Sequence, residues 1–150
     1  MRIATREPVT SMSHVHSCLH VHLVWSVKDR ARLLTPEVWG WLAGAMSTKA
    51  RALGCRHGVV GGVDDHIHVL ADLPPTLAVS ELVRQIKGAT SYIAHSKGAA
   101  LSWQPGYGAF AVSKDDVAAV DAYVRGQVAH HADRTLRVDL EPVPQGLLER

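Results

Sequence analysis

Two short stretches of alternating residues constrain this chain more than anything else in it. In "LHVHLVWSVK" Leu19, Val21, Leu23, Trp25 and Val27 fall on one side, with His20, His22, Val24, Ser26 and Lys28 on the other. In "HIHVLADL" Ile67, Val69, Ala71 and Leu73 alternate with His66, His68, Leu70 and Asp72. Successive side chains of a strand point to opposite faces, so both stretches read as strands with an apolar face to bury. Such a face needs helices or a second sheet against it.

The intervening segments supply helices. Thr35 followed by Pro36 is a cap with proline at the first helical position, and Val38, Trp39, Leu42, Ala45, Met46 and Leu53 recur at helical spacing until Gly54. "CRHGVVGGV" reads as a strand that bends at Asp64 and Asp65 into the HIH strand, forming a hairpin that Pro74 and Pro75 stop. From Thr76 to about Lys97, the spacing of Val79, Leu82, Val83, Ile86 and Ile93 predicts a second helix. "AFAVS" is a short strand. Ser113 and Asp116 then form a capping box that opens a third helix, running to about Ala132, with Val117, Val120, Val124 and Val128 as its core stripe. The order β-α-β-β-α-β-α predicts an α+β fold of the ferredoxin-like split β-α-β kind, an antiparallel sheet with helices mainly on one face. The expected layout is a flexible extension over 1–17, one domain over 18–132 and a loose tail over 133–150.

Composition narrows the class. A chain of 150 residues with 47% apolar and 20% charged residues is an ordinary single globular domain, neither disordered nor fibrous. No apolar run approaches the ~20 residues of a membrane span, and the first residues lack the apolar segment of a signal peptide. The expected location is the cytoplasm, with no membrane partner, and Cys18 and Cys55 are expected to be reduced thiols. A net charge of +2 does not by itself announce a nucleic-acid binder, so any basic surface has to be local.

Three His-x-His pairs stand among the ten histidines: His14 with His16, His20 with His22, and His66 with His68. The first lies ahead of the periodic region, where nothing holds the rings in place. The other two lie on strands with both rings on one face, where they can share a cation or simply line a solvated surface. Spacing alone does not separate them. The third helix adds Tyr123 and Gln127, four apart, on a face turned roughly 80–100° from the valine stripe, so that they border the core instead of filling it.

Five stretches, "HLVWSVKDR" at 22–30, "GGVDDHIHVLADLPP" at 61–75, "SELVRQIKGATS" at 80–91, "WQPGYGAFAVS" at 103–113 and "YVRGQVAHH" at 123–131, carry a resemblance in order and spacing. Together they resemble the single-tyrosine HUH transposases of bacterial insertion sequences and their relatives associated with repetitive extragenic palindromes. The resemblance covers roughly residues 18–132. It implies an HUH endonuclease type of fold, with His66 and His68 as the metal-binding pair, Gln127 as the third ligand and Tyr123 as the nucleophile. It further implies Mg²⁺ or Mn²⁺ as cofactor, single-stranded DNA with hairpin ends as partner, and a homodimer. The implied reaction is a transesterification through a covalent 5′-phosphotyrosine. His22 matches a position where the family often has histidine, and it stays outside the metal set.

The residue types suit that chemistry. Three neutral ligands leave a divalent cation's charge uncompensated, which makes a phosphate oxygen a favourable further partner. A phenol, with an ordinary pKa of ~10, needs help to lose its proton near neutral pH. For DNA binding the candidates are Lys28 and Arg30, with Arg32 beside them, and Arg84, Lys87 and Ser91 along one face of the second helix. Trp103 and Tyr107 are each either a stacking platform for bases or part of the core. Two other readings stand beside the transposase. One is a domesticated module that binds hairpin DNA without moving it; the other is a metal-dependent phosphodiesterase that uses water in place of tyrosine.

Overall fold

The structure is a computed structural model and describes residues 15–56 and 58–128. Most of the expected N-terminal extension, the end of the third helix and the whole expected tail lie outside the described residues. The chain runs β1 (His20–Ser26), α1 (Pro36–Ala52), β2 (Gly58–Gly62), β3 (His66–Asp72), α2 (Val79–Ser96), β4 (Gly108–Val112) and α3 (Val117–Arg125). The four strands lie in the order β2-β3-β1-β4, and every neighbouring pair is antiparallel. β1 and β2 therefore run parallel with β3 inserted between them, which is the split β-α-β arrangement the sequence predicts. Among the described residues no helix is long and apolar enough to cross a membrane.

Local chemistry sets the boundaries. The Thr35 hydroxyl accepts from the Val38 N–H at 3.3 Å, and Pro36 loses nothing as the first helical residue of α1. Gly54, at φ 96°, takes the left-handed conformation that lets the chain leave that helix. Ahead of α3 the Asp116 N–H donates to Ser113 Oγ at 3.3 Å while the Ser113 hydroxyl donates to Asp116 Oδ2 at 2.6 Å. These bonds close a turn over 114–116, and the helix opens later than the expected capping box would start it, at Val117 with Asp116 at its N-cap and no side-chain cap.

Two helices share one face of the sheet. α1 buries Val38, Leu42, Met46 and Ala50, one residue per turn, and α2 buries Leu82, Val83, Ile86, Thr90 and Ala94. Both pack on Val21, Leu23 and Trp25 of β1 and Ile67, Val69 and Ala71 of β3. Each fully buried aliphatic side chain here contributes about 1.5–3 kcal/mol relative to exposure. This is the main core.

α3 lies on the opposite face, where Val120, Tyr123 and Val124 pack with Val59, Leu70 and Val112. β1 is not the half-buried strand its alternation suggests: Val21 to Trp25 are buried on both sides, as is every residue of β3. The expected valine stripe is also revised. Val120 and Val124 are buried, but Val128 is 71% exposed and Tyr123 takes a place in the cluster. α3 breaks at Gly126, which lies outside helical geometry, before helical backbone resumes at Gln127 and Val128, so the period of its first turns does not carry through to Val128. Its close seat on the sheet depends on Gly61 of β2, where a Cβ would collide with the Val124 carbonyl.

Candidate active site

The register of the central pair decides which side chains meet. β1 and β3 pair His22 with Leu70, Val24 with His68 and Ser26 with His66, so the three histidines share one face. It is the face that α3 covers. His66 is 2% exposed, and His22 and His68 are fully buried. The alternative of a solvated histidine surface therefore does not hold.

The His66 and His68 rings lie 5.2 Å apart, and the Tyr123 ring meets His68 edge-on at 6.0 Å. Four residues on, past the break at Gly126, Gln127 is 1% exposed and donates through Nε2 to the Tyr123 carbonyl at 3.3 Å. Its Oε1 is buried with no hydrogen-bond partner among the described residues. An unsatisfied buried acceptor costs about 1–3 kcal/mol, and a cation is one partner that removes the cost. Among the described residues no three of His, Cys, Asp and Glu converge to hold an ion. The Gln127 amide oxygen is a neutral donor of another type, buried on the helix that carries Tyr123. The donor set fits a divalent cation.

Each ring of the pair is held at Nδ1. Asp65 Oδ1 lies 2.6 Å from His66 Nδ1, and Arg30 reaches Asp65 Oδ2 through Nε at 3.1 Å. A carboxylate at Nδ1 keeps the proton there, which leaves Nε2 as the atom that His66 can offer a cation. Arg30 stands in a short 3-10 turn, Lys28–Arg30, in which Asp29 and Arg30 have φ of 57° and 55°. Left-handed backbone at a residue other than glycine costs about 1–3 kcal/mol. The Asp29 N–H, donating to Gln104 Oε1 at 3.0 Å, helps to hold the turn. On the other ring, His68 Nδ1 lies 2.9 Å from His22 Nε2. The sequence shows His22 on the histidine face of β1; its contact with His68 depends on a strand register that the sequence does not print.

The basic candidates lie on two elements, the turn after β1 and α2, which Gln104 joins by accepting from the Asp29 N–H and from Lys87 Nζ. Lys28 is exposed, while Arg30 and Arg32 pair with Asp65 and Asp64. Both arginines rim a cleft of about 610 Å³ that Trp39 and Val63 also line. Arg84, Lys87 and Ser91 belong to α2, which packs on the face of the sheet away from the histidines. Arg84 is exposed and makes a two-point pair with Glu81 at 2.9 and 2.7 Å, which with Gln85 holds the Glu81 carboxyl down at about 2. Lys87 turns inward: Nζ donates to the Gln104 and Gly106 carbonyls at 2.8 and 2.6 Å, and burial lowers its pKa. Ser91 is half-buried. Trp103 is a core residue, its Nε1 donating to Thr90 Oγ1 at 2.9 Å and its ring edge-on to Trp25, whereas Tyr107 remains 41% exposed.

Comparison with known proteins agrees with this architecture. A family profile described as "Transposase IS200 like" matches residues 15–127. The ISDra2 transposase TnpA of Deinococcus radiodurans is 29% identical over 118 residues, covering 73% of this chain and 84% of the relative. Among solved structures, a chain from Deinococcus radiodurans R1 described as a transposase matches with a TM-score of 0.60 at 23% identity, covering 83% of this chain and 95% of that one. A REP-associated tyrosine transposase bound to a REP hairpin matches with a TM-score of 0.60 at 19% identity, covering 80% of this chain and 74% of that one. At such identities the two structures speak for the fold. The profile, in contrast, spans the whole stretch from β1 through Gln127, both histidine strands and the tyrosine helix included, and this chain belongs to the IS200-like transposase family.

Proposed function

We propose that the protein cleaves and rejoins single-stranded DNA by transesterification, with Tyr123 as nucleophile and His66, His68 and Gln127 as ligands of Mg²⁺ or Mn²⁺. The observation that supports this most is the seat of Tyr123 against His68 beneath α3, with an unpartnered amide oxygen four residues on. A divalent cation there would draw charge from a phosphate oxygen and make the phosphorus easier to attack. Imidazole nitrogen suits Mn²⁺ better than Mg²⁺, and oxygen ligands suit both.

The covalent step belongs to Tyr123. Its phenolic oxygen forms a bond to phosphorus as the bond from phosphorus to the 3′ oxygen breaks. The phenol loses a proton and the leaving oxygen gains one, so the products are a 5′-phosphotyrosine and a free 3′-hydroxyl. One phosphoester replaces another, and a second 3′-hydroxyl can run the step backwards without nucleotide hydrolysis. The cover that α3 gives the histidine face limits access of water, which favours rejoining over hydrolysis.

The partner in this reading is single-stranded DNA with hairpin ends, for which the hairpin-bound REP transposase of the same fold is the support. Lys28 and Arg30 would meet DNA at the turn that abuts Asp65, and Arg84, Lys87 and Ser91 would extend that contact along α2. Lys87 would have to exchange its carbonyl partners for phosphate. A cytoplasmic homodimer completes the reading on the strength of the family resemblance. The test is cleavage of a hairpin-bearing single strand with Mn²⁺ and with chelator. Wild type is expected to cut only with metal, and His66→Ala and His68→Ala to abolish cutting. Full activity in either variant would refute the ligand assignment, and binding without cutting by wild type would favour the domesticated module.

A further inference from the structure

We infer that His22 is a positioning residue for the metal pair: it accepts a hydrogen bond from Nδ1–H of His68 and thereby fixes Nε2 of His68 as the atom offered to the cation. The inference rests on the proposed role of His68 and adds to it a residue from another strand. A neutral imidazole has one N–H and one lone pair, and a hydrogen bond at one nitrogen decides the state of the other. His22 Nε2 and His68 Nδ1 are 2.9 Å apart, the ring planes are within 9° and the centroids are 5.1 Å apart. Two nearly parallel rings at that separation lie edge to edge, joined by one N–H···N bond.

The shared proton has two possible owners. If His22 carries it, the lone pair of His68 Nδ1 is consumed by the bond and Nε2 of neutral His68 bears a hydrogen, so that no lone pair is left for a metal. If His68 carries it, Nε2 has the lone pair. Metal binding by His68 requires the second arrangement, in which His22 is the acceptor.

His66 shows the same design, with Asp65 at its Nδ1. Both histidines of the pair are gripped at the same ring atom, one by the turn residue before β3 and the other by the neighbouring strand. In this arrangement His22 does not serve as a third ligand, since the lone pair of its Nε2 is taken by His68 and its Nδ1 carries the hydrogen. Its own ring is fully buried beside Phe110 of β4, at 5.9 Å, which limits its freedom to turn away. A purely space-filling role would let phenylalanine replace it without effect on the metal.

Two measurements on the full chain decide the matter. The first is the tautomer of His68 in metal-free wild type, read from ¹⁵N long-range correlation spectra of the histidine rings. The second is Mn²⁺ affinity, read by electron paramagnetic resonance titration of wild type, His22→Phe, His22→Gln and His68→Ala. His68 is expected to carry its proton on Nδ1. His22→Phe should lose affinity roughly 10–100-fold, as expected for an outer partner of a metal ligand. His22→Gln, whose amide oxygen can accept the same N–H, should stay close to wild type. An Nε2–H tautomer of His68, wild-type affinity in His22→Phe, or a loss in His22→Gln as deep as that in His68→Ala overturns the role of His22. Should His22→Phe not fold, the wild-type tautomer and the His22→Gln affinity decide alone. Wild type that binds no Mn²⁺, or His68→Ala that binds it as wild type does, overturns the metal site itself and His22 with it.

Discussion

A histidine can bind a cation through either ring nitrogen, and its neighbour at the other nitrogen determines which. At His66 that neighbour is Asp65, itself braced by Arg30. Asp65→Ala is therefore expected to weaken Mn²⁺ binding roughly 10–100-fold with the sheet intact. Calorimetric titration checks it, and unchanged affinity would show that the 2.6 Å contact does not orient the ring. The sequence displays "DDHIH" plainly, yet it presents Asp65 only as a turn residue. Its contact with His66, like the bond between His22 and His68, depends on rotamer and register, neither of which is written in spacing.

At the scale of the element, α3 is what turns two strand histidines into a buried site. Its start is legible from Ser113 and Asp116, and its pairing of Tyr123 with Gln127 from their four-residue spacing. Its seat is not. The valine pattern places Tyr123 at the margin of the core, whereas the helix settles on the second face of the sheet and buries Tyr123 with Val120 and Val124. That face carries histidines in β1 and β3, so it reads as polar until something covers it. Gly61 permits the cover by admitting the Val124 carbonyl. Gly61→Ala should displace α3 from His68 and reduce DNA cleavage about 10²-fold, the usual consequence of moving reacting groups by an ångström. Trp25 and Trp103 lie in the core on the other face, so their near-ultraviolet signal should be unchanged. Cleavage at the wild-type rate would mean that the close approach of α3 does not position the site.

Over the whole molecule, the sheet separates the histidine face, covered by α3, from a face lined by α1 and α2. With a net charge of only +2, contact with DNA depends on local cations, and the candidates are Lys28, Arg30 and Arg32 near the β2–β3 turn, the two arginines paired there with Asp65 and Asp64, and Arg84 on α2. Arg84 is exposed, though paired with Glu81, and Lys87 points to backbone carbonyls, so Arg84 is the more accessible cation of α2, for which a phosphate would compete with Glu81. Arg84→Ala should weaken binding of hairpin DNA evenly across sequences and lower the salt-dependence slope by about 1, measured by fluorescence anisotropy over a salt series. An unchanged slope would place the DNA elsewhere. Strand order and layering follow from the alternating and helical periods. Which layer covers the histidines does not, because it is set by α3 crossing to the second face.

The account rests on Tyr123 forming a bond to DNA. The direct measurement is to incubate wild type and Tyr123→Phe with a hairpin-bearing single strand and Mn²⁺, denature both and look for protein that carries DNA. Wild type is predicted to give a denaturant-resistant adduct and a free 3′-hydroxyl end, and Tyr123→Phe to give neither. Cleavage by wild type without an adduct, or equal cleavage by Tyr123→Phe, would contradict it.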